Sequence, residues 1–198
     1  MVKVLLIVGG DKLGTKAISE IEKINFSGDV KILIDNSSNL RRIGRLIIKK
    51  TLKLNLVLKL FFAEFKRKKH KIKSYEFVSS RNELSDKIKL YSPKIVLLYR
   101  CGLILNKAIL NLPHEFLNIH ANSLPKYGGL GTIYRALKDN SINQTATLHR
   151  VVSKIDSGEI VDTLPYKLNN DLPYYKNEEI AYNTALELLI FTLKKQIN

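Results

Sequence analysis

Asn118 and His120 stand two residues apart at the end of the apolar run "FLNIH", and the loop that follows, "SLPKYGGLG", carries one proline and three glycines. Alternate side chains of an extended strand share a face, so the amide and the imidazole point the same way. An amide supplies N–H donors and an imidazole carries a proton. Together they could stabilise an oxyanion formed at a carbonyl. Glycines in the next loop permit unusual backbone angles and a close approach to a ligand. A packed, hydrogen-bonded histidine would show the same spacing, so this stretch alone leaves both readings open. Asp156, in "IDSGEIV", is equally a turn-former beside Ser and Gly or a carboxylate held between two strands. His149 in "TATLHRV" reads as packed, whereas His114 beside Pro113 and His70 in a basic run read as surface residues. Four scattered histidines and one cysteine, Cys101, make no ligand cluster, so no metal is expected. "GGDKLG" at 9–14 is a glycine turn into a helix, consistent with an anion at the helix N-terminus and placing Gly10 beside it.

The elements that must position these groups are short β-branched and leucine-rich runs at 2–8, 29–35, 74–80, 94–100 and 116–122. The first, fourth and fifth are nearly continuous apolar runs, as central strands covered on both faces should be. Helical stretches intervene at 15–24 and 81–91, the second preceded by Ser80 with Glu83 three residues on, a capping-box pattern. The alternation predicts an α/β fold with an open, mostly parallel twisted sheet flanked by helices. Two further strands are expected at 144–152 and 159–168, then a closing amphipathic helix over 176–196 with acids at its start and lysines at its end. A chain of 198 residues without repeat or linker is read as a single domain, 1–198. The N-terminus "MVKVLLIVGG" reads as a first strand rather than a signal peptide.

The net charge of +15 is local: residues 41–73 hold 13 Lys or Arg against one acid, Glu64, so +12 of the +15 lies there. This basic insertion, about 40–73, has an apolar centre too short and too often charged to span a bilayer. Two readings stay open: a helix packed on the sheet with a solvated basic face, or a surface for a partner or anionic membrane. A single cysteine excludes an internal disulfide framework and fits a reducing cytoplasm.

Taken together, "LNIHANSLPKYGG" and the later "ATLHRVVSKIDSGEIV" resemble the folate-dependent formyltransferase family. That family includes glycinamide ribonucleotide formyltransferase, the formyl-transfer domain of methionyl-tRNA formyltransferase and amino-sugar N-formyltransferases. The likeness runs from about Tyr91 to Leu168 and implies a Rossmann-like formyltransferase fold. It also implies 10-formyltetrahydrofolate as formyl donor and a small primary amine as acceptor. The family's catalytic Asn, His and Asp fall on Asn118, His120 and Asp156. On this likeness Asn118 and a protonated His120 would hydrogen-bond the formyl oxygen, while Asp156 orients the imidazole and helps move the amine proton. Leu103, Ile104 and Leu105 fall on the backbone stretch that meets the pterin, with His149 and Ile155 also on the donor side; Gly10, Lys126, Tyr127, Gly128 and Gly129 fall on the acceptor side. Departures narrow the acceptor. Ala121 stands where the family usually has proline, and "GGDKLGTKAI" stands where glycinamide ribonucleotide enzymes have a Gly-Ser-Asn phosphate loop. The chain is short for a second, tRNA-gripping domain, so no tRNA partner is expected. A nucleotide-linked amino sugar is favoured as acceptor. The alternatives are glycinamide ribonucleotide, hydrolysis of the formyl donor, or a non-enzymatic membrane- or polyanion-binding module driven by residues 41–73. The expected location is cytoplasmic, with peripheral contact to the inner membrane face if the basic segment takes it there.

Overall fold

A computed structural model of the chain describes residues 2–24, 26, 28–37 and 54–197. Seven strands form one sheet: β1 (Val4–Gly9), β2 (Val30–Asp35), β3 (Glu76–Val78), β4 (Ile95–Tyr99), β5 (Glu115–His120), β6 (Asn143–Arg150) and β7 (Ile160–Lys167). Their spatial order is β3-β2-β1-β4-β5-β6-β7. The first five are parallel; β6 pairs antiparallel with β5, and β7 antiparallel with β6. The helices are α1 (Lys12–Glu22), α2 (Leu54–Lys66), α3 (Arg81–Tyr91), α4 (Lys107–Leu110), α5 (Thr132–Lys138) and α6 (Tyr174–Ile197). The sheet is thus open, mostly parallel and flanked by helices, as the sequence pattern requires.

The period of two explains why β1 and β4 read as unbroken apolar runs. Val4, Leu6 and Val8 enter one core layer with Ala17 and Ile18 of α1 and Ala185 and Leu189 of α6. Leu5 and Ile7 enter the opposite layer with Leu84 and Ile88 of α3 and Ile109 of α4. Both faces are covered, so no alternation survives. On β5 the second layer ends at Phe116. Asn118 and His120 continue that face, and there polar side chains replace the core.

Two helix starts and one helix cap differ from expectation. α1 begins three residues earlier than expected, because Asp11 caps it by accepting from the Gly14 N–H at 2.8 Å. At α3 the Ser80 hydroxyl accepts from the Glu83 N–H at 3.2 Å, but the Glu83 carboxylate reaches the N–H of Ser79, at 2.6 Å, rather than that of Ser80. α6 begins at Tyr174, which puts Glu178 in its second turn, where it is buried against Arg67. Arg67 is therefore no surface cation, although it stands in the basic run. Of the basic insertion, residues 40–53 lie outside the described residues. The remainder forms α2 and the segment leading to β3.

Candidate active site

Four side chains converge on the β5–β6 pair. The antiparallel register sets Asn118 directly opposite His149, and Asn118 Nδ2 lies 3.0 Å from His149 Nε2. His149 Nδ1 donates to the Arg150 carbonyl at 2.9 Å, which fixes the tautomer and leaves Nε2 as an acceptor. The Asn118 amide must then turn its nitrogen toward His149, and its second N–H has no partner among the described residues. His120 Nε2 lies 2.7 Å from the Tyr127 carbonyl. A carbonyl only accepts, so Nε2 carries the proton and the Nδ1 lone pair faces outward. It faces Asp156, whose Oδ2 is 3.5 Å away, while Asp156 Oδ1 is 3.6 Å from His149 Nε2. One carboxylate thus stands between two imidazoles.

Asp156 reaches this place by a strained turn. Its φ is +50°, a left-handed conformation that Asp tolerates better than most residues. Two residues on, a side chain at Gly158 would put its Cβ 1.9 Å from the Arg150 carbonyl, so only glycine lets the loop fold back over the end of β6. Asp156 Oδ2 also accepts from the Gly129 N–H at 2.7 Å. Gly129 has φ +80°, and Arg135 Nη2 holds the Gly128 carbonyl. The loop after His120 and the loop after β6 are therefore laced together by the groups that surround the histidine.

Burial pushes the His120 pKa below its ordinary 6.5, although Asp156 and the Tyr127 carbonyl pull the other way. His149 is pushed down as well, chiefly by burial. Both imidazoles are uncharged at neutral pH. Against the expectation of a protonated His120, burial opposes the charge on the resting imidazole more than the neighbouring carboxylate favours it. A neutral His120 beside an anionic partner is a proton acceptor first and a cationic donor only after it has taken a proton.

The other sequence-picked residues are distributed around this cluster. Tyr127 is buried, with its hydroxyl donating to Asp139 Oδ2 at 3.3 Å, whereas Lys126 is exposed at the rim. Tyr127, Gly128 and Gly129 thus contribute backbone to the cluster itself. Ile155, beside Asp156, is exposed. Leu103, Ile104 and Leu105 follow β4, the neighbour of β5, on the same carboxyl edge of the sheet, where open α/β folds bind ligands. The N–H of Leu103 is already bonded to Asp35 Oδ2 at 3.1 Å, and Gly102 N donates to the same oxygen. The backbone groups of Ile104 and Leu105 bond nothing among the described residues. Ile104 exposes its side chain and Leu105 buries its own. Exposed apolar surface beside unspent backbone donors and acceptors fits a flat heteroaromatic ring. Asp35, which anchors this stretch, was visible as the acid closing the apolar run "KILID".

Gly10 follows β1, the other neighbour of β4, on this same edge, and its N–H donates to the Asp35 carbonyl at 3.1 Å. Beside it, the start of α1 is filled from within. Asp11 takes the Gly14 N–H, and Glu64 Oε1 of α2 takes the Lys12 N–H at 2.8 Å. Arg100 Nε lies 2.9 Å from Asp11 Oδ2, and its guanidinium sits 4.0 Å above the Tyr182 ring. Burial pushes the Asp11 carboxyl up, but Arg100 and the Gly14 N–H outweigh it and hold it below its ordinary value. Spacing alone could not reveal this pairing, since Asp11, Glu64 and Arg100 are far apart in the chain. Among the described residues no group of three or more His, Cys, Asp or Glu could hold a metal ion.

Residues 2–167 match the formyl transferase family model, which covers the strands, the polar pair and the Asp156 turn. The chain belongs to the formyl transferase family. Among curated relatives, methionyl-tRNA formyltransferase of Thermotoga neapolitana is 34% identical over 120 residues, 60% of this chain and 38% of that protein. The chain spans about two-fifths of the length of the curated relatives it matches first. Among solved structures, phosphoribosylglycinamide formyltransferase from Streptococcus pneumoniae superposes with a TM-score of 0.67 at 16% identity, covering 100% of both chains. A sugar N-formyltransferase from Shewanella sp. gives 0.64 at 15% identity, over 98% of this chain and 70% of its own. These two likenesses establish the shared fold.

Proposed function

We propose that the chain transfers a formyl group from 10-formyltetrahydrofolate to the primary amine of a small acceptor. The arrangement that carries this reading is the neutral His120, locked as its Nε2–H tautomer, with Asp156 3.5 Å from its bare Nδ1 and the Asn118 amide pinned beside it. The folate supplies an activated formyl carbonyl. Ile104 and Leu105 would hold the pterin edge through their unspent backbone groups, and exposed apolar side chains such as Ile104 would cover its face. Asn118 directs its second N–H at the formyl oxygen, where negative charge grows as the amine attacks. His120 takes the amine proton at Nδ1, and Asp156 stabilises the imidazolium so formed. The charged ring then supports the same oxygen and can return its proton to the departing folate nitrogen.

For the acceptor we favour an amino sugar, nucleotide-linked, over glycinamide ribonucleotide. A phosphate seated at the start of α1 would meet the Asp11 and Glu64 carboxylates, which already use the N–H groups an anion would need. The blocked terminus supports an acceptor whose phosphates bind elsewhere. Incubating the chain with 10-formyltetrahydrofolate and separate acceptors tests this: a nucleotide-linked amino sugar, glycinamide ribonucleotide, charged initiator tRNA and water alone. Formylated amino sugar is the expected product. Turnover confined to glycinamide ribonucleotide, or donor loss unaffected by any amine, would replace this reading.

A further inference from the structure

We propose that α2 is a docking face for an anionic lipid bilayer. Leu54, Leu58, Phe61 and Phe65 follow the i, i+4, i+7, i+11 spacing of one helical stripe, and each leaves 61–75% of its surface open; Phe62 beside them is 50% exposed. The stripe does not come from a loosely placed helix. The opposite face is fixed at three points: Leu56 packs where a Cβ on Gly131 would stand 2.4 Å from its Cδ2, Asn55 Nδ2 donates to the Tyr134 hydroxyl at 3.0 Å, and Glu64 accepts from Lys12 N. The helix therefore buries one apolar side and presents another.

The charges around the stripe identify its partner. Lys59 and Lys66 lie along its border, Lys66 over the Phe62 ring at 5.3 Å, and Lys68, Lys69, Lys71 and Lys73 follow on exposed chain. The one acid of this segment, Glu64, is half-exposed, and its carboxylate is engaged by the Lys12 N–H and by Arg67 at 3.6 Å. Exposed phenylalanine and leucine ringed by unopposed lysines match a surface that is both apolar in depth and negative at its face, which an anionic bilayer is. Thirteen residues make a helix about 20 Å long, and no helix of the described residues is long and apolar enough to cross a membrane, so α2 lies on the surface. Because α2 braces Gly131 in the loop that holds Asp156, docking brings the catalytic edge of the sheet beside the headgroups. The inference is independent of which amine is formylated.

Co-sedimentation of the full chain with phosphatidylcholine vesicles, with and without phosphatidylglycerol, tests the proposal. Binding should be at least about tenfold tighter when phosphatidylglycerol is present, and high salt should weaken it without abolishing it, since the apolar contact remains. Replacing Phe61 and Phe65 together by Ser should remove the salt-resistant part. Lys68→Glu with Lys69→Glu should remove the preference for the anionic lipid. Both variants should match the parent in circular dichroism and in turnover of a water-soluble amine. Equal binding to the two vesicle types, or undiminished binding by the phenylalanine variant, would overturn the proposal. So would a concentration-dependent dimer in size-exclusion chromatography that the phenylalanine variant dissociates, which would assign the face to a second copy of the chain.

Discussion

Asp11 and Asp156 both accept from a backbone N–H of a glycine-containing turn, Gly14 at 2.8 Å and Gly129 at 2.7 Å, yet their other neighbours differ in kind. Asp11 faces Arg100, a guanidinium that keeps its charge at every accessible pH. Asp156 faces His120 and His149, two imidazoles that rest uncharged. A carboxylate against a permanent cation fixes structure, because nothing in the pair can change protonation near neutrality. The same group against neutral imidazoles stands beside rings that can still take a proton, which is what the proposed transfer needs. The end of β1 is thus closed and the end of β5 is open to chemistry.

Removing the proton acceptor should break the active half of this comparison most severely. His120→Ala should lower kcat by about 10²–10⁴-fold while folate affinity persists, the range for a lost acid–base group. Asp156→Asn keeps the left-handed turn and should fall in the same range. The double variant should be little worse than the poorer single, because an imidazole without its carboxylate is already impaired. Steady-state kinetics with a separate folate-binding titration measures all three.

On the structural half, Asp11→Ala should cost stability rather than chemistry. It removes a helix cap and leaves the Arg100 guanidinium without its carboxylate, together about 2–3 kcal/mol of unfolding free energy. Urea denaturation would report the loss, and kcat of the remaining folded protein should stay within about twofold of the parent. A collapse of kcat at full stability would mean that Asp11 belongs to the acceptor site.

His149→Ala tests the link between strands. It frees the Asn118 amide to rotate without touching His120, so kcat should fall by about tenfold, short of the loss expected from deleting an oxyanion donor outright. His149→Gln retains an acceptor for Asn118 and should recover part of the loss.

The smallest effects are in pH. His120 and His149 have folded pKa values below 6.5, so the unfolded chain binds protons first as pH falls; their contribution to stability is complete above 6.5 and declines below it. Asp11 is also depressed, from 3.8, so its contribution is intact until pH drops below that value. Calorimetric stability should therefore decline in two windows. His120→Ala with His149→Ala should shrink the upper one, leaving the share of His70, and Asp11→Ala should shrink the lower, leaving the share of Glu76.

The side of the comparison proposed as catalytic leaves a trace in the chain, and the structural side does not. Asn118 and His120 announce themselves by alternation on one short strand, and Asp156 by its Ser-Gly turn, since local geometry is written in local sequence. Parallel strands left the same kind of trace in their unbroken apolar runs. The closing of α1 depends instead on Asp11, Glu64, Arg67, Arg100 and Glu178, which meet only after folding. The same holds for the basic segment. Its charge was obvious, but the bond from Lys12 N–H to Glu64 and the burial of Arg67 were not, nor was the outward face of Phe61 and Phe65. The protonation state of His120 needed three-dimensional burial as well, because its spacing beside Asn118 says nothing about dielectric.

One measurement bears on the central claim most directly: the pH dependence of kcat/KM for formyl transfer to a soluble amine by the parent chain and by His120→Ala. The parent should lose activity on the acid side with a midpoint below 6.5, as the buried imidazole takes a proton and ceases to be a base. His120→Ala should lack that limb and run at the reduced rate throughout. An acid limb that survives in His120→Ala, or near-full transfer by that variant, would contradict the assignment of His120 as the group that takes the amine proton.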